Sequence, residues 1–418
     1  MNHMKNDSIS RYRWLILAIG VLAQMTFSIA FSGIPVSGVL MRDAYQFSIG
    51  ELGFVLGCMG LGVAISEIIW GILTDRFGDK IVLIAGLSLM GLTFVVTAIG
   101  FVPQPDTRVS PLALGLILVI AGAVGGSINS SSGRAVMSWF QDGERGFAMS
   151  IRQTAIPLGG ALGSVLIPWV VAVHGFRSAY FMLAAFCALT MLCVWRWIIE
   201  VEVPAPKPAG TAARVATDIS PLRRFDVWKI AFAGALLTVP QMAVLTFAAV
   251  FLTDHEQMSM VTIASILVLV QVGGAVLRIV TGRLSDKYRN RREIIRVISV
   301  VAGLTGMGLG VGLLAGISGA WLVALLVVTG LAGHAWHGIA FTEIAVMSGV
   351  QNAGRAIGMM GTTVFTMSFL TPYSIPFVLQ QGSWAHVWAV VGVLSLLALL
   401  LIGKPVLGAA SSAKVNSA

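Results

Sequence analysis

Seven ionisable side chains stand inside long apolar stretches of this 418-residue chain: Glu67, Glu343, Arg134, Arg152, Arg278, His334 and His337. A charged group at membrane depth costs at least roughly 2.5 to 3.5 kcal/mol, so such residues mark ion pairs, proton relays or substrate contacts. A guanidinium fork matches a carboxylate bidentately, which makes Arg152 and Arg278 candidates for holding a small organic anion. Glu67, Glu343 and His334 have the chemistry to carry a proton, the histidine because an unperturbed imidazole titrates close to neutral pH. His334 and His337 are three residues apart, on one face of a helix beside Trp336, which favours a cavity lining. No third ligand lies at metal-binding spacing, and no cofactor is implied.

Depth along the helices suggests how the charges pair. Glu67 is eight residues from Asp75, and Arg278 is eight from Asp286, each about 12 Å from its helix end. The pairing expected from this is Glu67 with Arg134 in one half and Arg278 with Glu343 in the other, with Arg134 also able to snorkel to water. Arg152 is left without an acid, so that it either joins a charge network with Asp286 or Glu144 or binds an anion. Gln24 and Gln241 are matched mid-helix amides, and Asn129 and Tyr373 add polar groups that complete the candidate substrate-binding set.

The elements that must position these groups are membrane spans. Hydrophobic residues make up 57% of the chain and charged ones only 11%, where a soluble domain carries about a quarter, so a water-soluble enzyme is excluded. Twelve apolar runs of spanning length start near Trp14, Glu51, Ile81, Pro111, Gly146, Arg177, Val227, Met260, Glu293, Ala320, Arg355 and Ala385. The expected fold class is an all-α membrane protein with twelve transmembrane helices in two pseudo-symmetric six-helix bundles. Of 27 Lys and Arg, only Arg42, Arg108 and Arg177 fall on the far side when the N-terminus is inside, so both ends are expected in the cytoplasm. The net charge of +9 is dispersed among loops, which gives no nucleic-acid face. Residues 200–226, with Pro204, Pro206, Pro208, Gly210 and the basic pair Arg223 and Arg224, read as a cytoplasmic linker between a 1–199 bundle and a 227–407 bundle, and 408–418 as a tail.

The halves repeat each other. Gly71, Asp75 and Arg76 recur as Gly282, Asp286 and Lys287, Gln24-Met25 as Gln241-Met242, and the Ala-Val-Met-Ser run ending at Ser138 as the one ending at Ser348. The G-x-x-x-D-R-x-G loop from Gly71 to Gly78 resembles the signature loop of the major facilitator superfamily, and the resemblance covers nearly the whole chain. It implies two bundles rocking about a central cavity, with Gly71, Asp75, Arg76, Gly282, Asp286 and Arg134 in gating positions. In such a loop the aspartate can accept hydrogen bonds from a neighbouring helix N-terminus, a contact available only while that side is closed. Two signatures depart from the family pattern. Val119 stands where many members carry an arginine, and the fifth span reads from Arg152 to Pro157 without the glycines of the drug antiporters. Arg278, four residues before Gly282, is similar to an arginine that monocarboxylate transporters use on their substrates.

The expected function is proton-coupled uptake of a small mono- or dicarboxylate across a bacterial-type inner membrane by a multi-pass protein. Its partners are an anionic small molecule, protons and the lipid bilayer, and the resemblance implies a monomer. The alternative is proton antiport of hydrophobic or cationic compounds, with Glu67 as the exposed acid. An enzyme would need a nucleophile with its base or a metal, and neither is evident.

Overall fold

The computed structural model describes residues 2–104, 108–200 and 220–403. Most of the expected linker and the whole expected tail lie outside the described residues. The helices are α1 (Asn2–Val36), α2 (Gly38–Tyr45), α3 (Ile49–Phe77), α4 (Asp79–Gly100), α5 (Pro111–Gly125), α6 (Ser127–Trp139) and α7 (Arg145–Trp197) in the first half. The second half holds α8 (Phe225–Asp254), α9 (Met260–Tyr288), α10 (Arg291–Leu314), α11 (Ala320–Ala335), α12 (His337–Ser348), α13 (Ala353–Gln381) and α14 (Trp384–Leu401). Among the described residues, eleven helical runs are long and apolar enough to cross a membrane. The 53-residue α7 is two of the twelve passes, because Gly175 at φ 77°, ψ 171° breaks it between them. In a bilayer every backbone group must be satisfied within the protein, which is why a chain so poor in charge folds into helices throughout.

Sequence sets the helix ends. Ser48 and Glu51 form a reciprocal capping box at the start of α3, with Ser48 N donating to Glu51 Oε2 at 2.8 Å and Glu51 N to Ser48 Oγ at 3.2 Å. Pro111 follows the Ser110 cap of α5 in the first-turn position that proline prefers. Gly78, closing the signature loop, has φ +89°, and a Cβ there would strike the Glu200 carboxylate. Its counterpart in the repeat is Arg289, which also holds a positive φ, 52°.

The spans carrying the sequence-matched Ala-Val-Met-Ser runs are each interrupted, one between α5 and α6 at Gly126, the other between α11 and α12 at Trp336. These positions are the same distance ahead of the two runs, so the interruptions are equivalent in the repeat.

The apolar core has three parts. One fills the first bundle around Phe27, Phe94 and Tyr180. A second joins both halves at the linker side, packing Leu17, Val136 and Met149 against Ile230, Ile339 and Ile357. A third, around Phe251, Leu309 and Trp388, belongs to the second bundle alone. The bundles therefore share a core at the linker side. Apolar side chains such as Val165 and Leu400 remain exposed on the periphery, as a lipid-facing surface requires.

Candidate functional site

The first leg of α7 carries Arg152, whose side chain is fully buried. Its Nε donates to Ser132 Oγ at 2.9 Å, and its Nη2 donates to Gln24 Oε1 at 3.0 Å, Asn129 O at 2.7 Å and Asn129 Oδ1 at 2.9 Å. Asn129 turns its amide nitrogen to Glu67, donating to Oε1 at 3.1 Å and Oε2 at 3.3 Å, and Ser130 Oγ adds a bond to Oε2 at 3.3 Å. Asn129 thus bridges a carboxyl group and a guanidinium that do not touch. Glu67 is itself wedged at the seam between bundles, because Gly358 and Gly361 of α13 press on its backbone and carboxyl group.

Arg278 of α9 is equally buried and lies on the other seam. Its Nε donates to His334 O at 2.9 Å, and its Nη1 to Gln153 O at 2.6 Å across the bundle boundary. Both carbonyls are free for local reasons. His334 O belongs to the last turn of α11, where the interruption at Trp336 removes its helical donor, and Thr281 Oγ1 takes the next carbonyl, Ala335 O, at 2.7 Å. Gln153 is four residues before Pro157, which has no N–H to give it. Among the described residues, Arg278 Nη2 and both polar atoms of the Gln153 side chain have no hydrogen-bond partner.

The pairings expected from depth are not formed. Arg134 reaches the linker side, where Nη1 donates to Asp79 Oδ1 at 2.9 Å and Nε stands 3.5 Å from Asp75 Oδ1. Glu343 accepts from Arg292 Nε at 2.5 Å and lies 4.0 Å from Arg291. In each half the acid and base thus join the fourth span of the unit to the start of its third, with the signs exchanged. Arg152 is not the single cation without an acid, since among the described residues no carboxylate lies within ion-pair distance of Arg278 either. Nor does Arg152 join Asp286 or Glu144, because Glu144 pairs with Arg13 at 2.5 Å.

A cavity of about 320 Å³ occupies the half of the molecule away from the linker, between the two bundles. Asn129, Gln241 and His337 contribute its mid-depth polar groups, and Phe31, Phe341 and Phe365 are among its apolar walls. The matched glutamines part company: Gln241 lines the cavity, whereas Gln24 is buried against Arg152. The histidines do too, because the interruption at Trp336 separates them. His337 stacks on Trp336 and has Nδ1 unpartnered, while His334 is held by Gly330 O at 2.8 Å and Gln271 Oε1 at 2.9 Å. Tyr373 is off the cavity: it is 59% exposed, stacked on Phe369 and tilted against Phe377 on the periphery. Gln153 was passed over by the sequence reading, although a polar residue four before a proline and next to Arg152 is a visible signal.

At the linker side two equivalent contacts join the bundles. Asp75 of α3 accepts from Gly354 N at 2.8 Å and Arg355 N at 3.0 Å in the first turn of α13. Asp286 of α9 accepts from Gly146 N at 3.0 Å and Phe147 N at 2.7 Å in the first turn of α7. Each carboxylate satisfies two orphan donors at the positive end of a helix. Gly71 and Gly282 allow the approach, since a Cβ on the first would strike Gly354 O and on the second would come 2.6 Å from Gly146 O. Arg76 takes no part, being exposed over the ring of Phe77. Between α6 and α7, Asp142 accepts from Arg291 Nη2 at 3.1 Å, and this bond holds its carboxyl below the usual carboxylate range.

Two pseudo-symmetric six-helix units, joined on one side and parted around a cavity on the other, make this an integral multi-pass membrane protein built as a transporter. The chain belongs to the Major Facilitator Superfamily, whose sequence profile matches residues 16–302. It is 27% identical to an uncharacterised MFS-type transporter of Mycobacterium tuberculosis over 394 residues, covering 93% of this chain and 84% of that one. It is 21% identical to the hexuronate transporter of Bacillus subtilis over 400 residues, 90% and 92% of the two chains. With the gallate transporter of Pseudomonas putida it shares 24% over 341 residues, 73% and 72% of the two. Among solved structures, the proton:xylose symporter XylE superposes with a TM-score of 0.74 at 14% identity, covering 94% of this chain and 95% of that chain.

Proposed function

We propose that this transporter carries a small organic anion by alternating access, driven by protons in the uptake direction, in a bacterial-type inner membrane with both ends cytoplasmic. The observation that carries the reading is Arg278, a buried guanidinium in the seam with, among the described residues, no carboxylate in reach and one N–H face unpartnered. A charge taken out of water without compensation is costly, and an anionic cargo supplies what the fold leaves out. The relatives that transport hexuronate and gallate, both organic acids, support the same class.

Proton coupling rests on Glu67. While ionised it compensates Arg152 through Asn129. Once protonated it leaves Arg152 calling for negative charge, so a proton and an anion favour each other's binding, and that reciprocity favours the doubly loaded carrier that symport moves. Asp75 and Asp286 act as the linker-side gate, releasing their helix N-termini when that side opens.

The test is accumulation of radiolabelled carboxylates by proteoliposomes under an imposed proton gradient. Wild type is expected to concentrate a carboxylate and Arg278→Gln to lose this while remaining folded in the membrane. Undiminished uptake by Arg278→Gln disposes of the site.

The efflux reading keeps one observation in its favour, an apolar crevice between α3 and α13 lined by Leu61, Ile65, Thr362 and Phe369. A drug-resistance profile of the overexpressing strain separates the two, since only efflux raises resistance.

A further inference from the structure

The cavity divides into two chemically different regions. Three of its polar residues, Asn129, Gln241 and His337, meet at mid-depth from α6, α8 and α12, and two serines, Ser32 and Ser368, stand among the walls. Above them the walls are aromatic and aliphatic. Phe31 of the first bundle meets Phe365 of the second edge to face, with centroids 5.4 Å apart and planes at 80°. Phe27 stacks behind Phe31 at 5.4 Å, and Met59, Leu245 and Phe369 extend the apolar lining.

The polar capacity is smaller than the residue names suggest. Asn129 is spent at both ends, its nitrogen on Glu67 and its oxygen on Arg152. Ser368 Oγ donates back to Val364 O at 2.9 Å. Ser32, the Gln241 amide, the His337 ring and the acceptor side of Ser368 Oγ are left to serve a cargo. A polyhydroxylated acid needs a partner for each hydroxyl it strips of water, and a buried hydroxyl without one costs about as much as a lost hydrogen bond. Rings and alkyl groups have no such requirement and gain from burial against phenylalanine.

Resting on the anion reading above, we propose that the cargo is a monocarboxylate with an apolar ring-sized body, aromatic or alicyclic, and not a sugar acid. Its ring lies against Phe31 and Phe365, and its carboxylate points to the mid-depth floor, towards the side on which Arg152 and Arg278 are buried. The two phenylalanines come from different bundles and already touch each other, so a ring lying against both contacts the two halves at once.

The experiment is competition in proteoliposomes and thermal stabilisation of the purified full chain with three probes of equal charge: benzoate, cyclohexanecarboxylate and glucuronate. Benzoate and cyclohexanecarboxylate are expected to act at concentrations at least tenfold lower than glucuronate. Phe365→Ser is expected to raise the concentrations required for the two ring acids about tenfold and leave glucuronate unchanged or improved. If Phe365→Ser fails to elute as a folded monodisperse species, Phe31→Leu provides the same comparison. Glucuronate binding as well as or better than the ring acids overturns this proposal and leaves the anion reading intact. If no carboxylate acts and a neutral or cationic ring compound does, the anion reading falls and takes this one with it.

Discussion

The carbonyl of Gln153 accepts a hydrogen bond from Arg278 at 2.6 Å because Pro157, one turn later, cannot supply the helical one. The bond crosses from α7 of one bundle to α9 of the other on the seam whose linker end is held by Asp286. A proline in the interior of a helix is thereby tied to an arginine of the opposite half: the missing N–H creates the acceptor, and the buried cation fills it.

Pro157→Ala restores the helical donor and makes the carbonyl shared. Hydrogen bonds to charged groups contribute about 1.5 to 3 kcal/mol, and losing the lower figure shifts a two-state ratio about tenfold. We expect the fraction of molecules closed at the linker side to fall by up to that factor, read by spin-label distances between the linker-side ends of α7 and α9. On an Arg278→Gln background Pro157→Ala should add nothing. Additive effects of the two substitutions would break the connection.

Glu67→Gln keeps the size of the side chain and removes the titration. Asn129 and Ser130 can still bond an amide in that place, so the protein is expected to fold and to exchange cargo across the membrane. Accumulation against a gradient should be lost and the pH dependence of exchange flattened, measured by counterflow and by gradient-driven uptake in the same vesicles. Retained accumulation would move proton coupling away from Glu67.

How far the sequence could be read is clear from these residues. The spans, the duplication and the linker-side aspartates were legible because each is written in a local pattern: a hydropathy run, a repeat, a loop motif that carries its own acceptor. The charge pairs were not. Counting residues from a helix end fixes depth only to within about a turn. The α6 residues level with Glu67 are Asn129 and Ser130, and Arg134, one turn nearer the linker side on the same face, meets Asp79 instead. Placing His334 and His337 together on one cavity face fails for another reason, since the i, i+3 rule assumes a continuous helix and the chain is interrupted at Trp336, without a proline to announce it. The role of Pro157 was within reach, because a proline in a helix interior frees the carbonyl four residues back. Which donor would take it depends on tertiary packing.

The α3–α13 seam is predicted to tolerate no methyl group at Gly361. A Cβ there would lie 2.5 Å from the Glu67 carboxyl carbon, closer than van der Waals contact permits. Overpacking of this kind costs about 1 to 3 kcal/mol. The displaced carboxyl group would also lose register with Asn129. Gly361→Ala is therefore expected to lower the thermal midpoint and to impair uptake together. Gly50→Ala, where a Cβ meets nothing within 4 Å, serves as the control and should be neutral or slightly stabilising.

Asp142 and Arg291 form a third link between the bundles at the linker side, and its strength and pH range can both be bounded. The Asp142 side chain is 60% exposed, which places the pair among surface salt bridges contributing about 0 to 1 kcal/mol. Its carboxyl is held below the usual range by the hydrogen bond from Arg291. A lowered carboxylate stabilises the folded protein fully above its ordinary value of about 3.9, and the contribution fades as pH falls through the lower folded one. Between pH 5 and 8 the group stays ionised and gives no slope. Asp142→Asn should accordingly lower the closed fraction at the linker side by less than about fivefold and leave the shape of the pH–uptake curve unchanged. A variant that altered that shape would mean that the pH dependence originates at the linker-side surface, and Glu67 would lose its place in the coupling scheme.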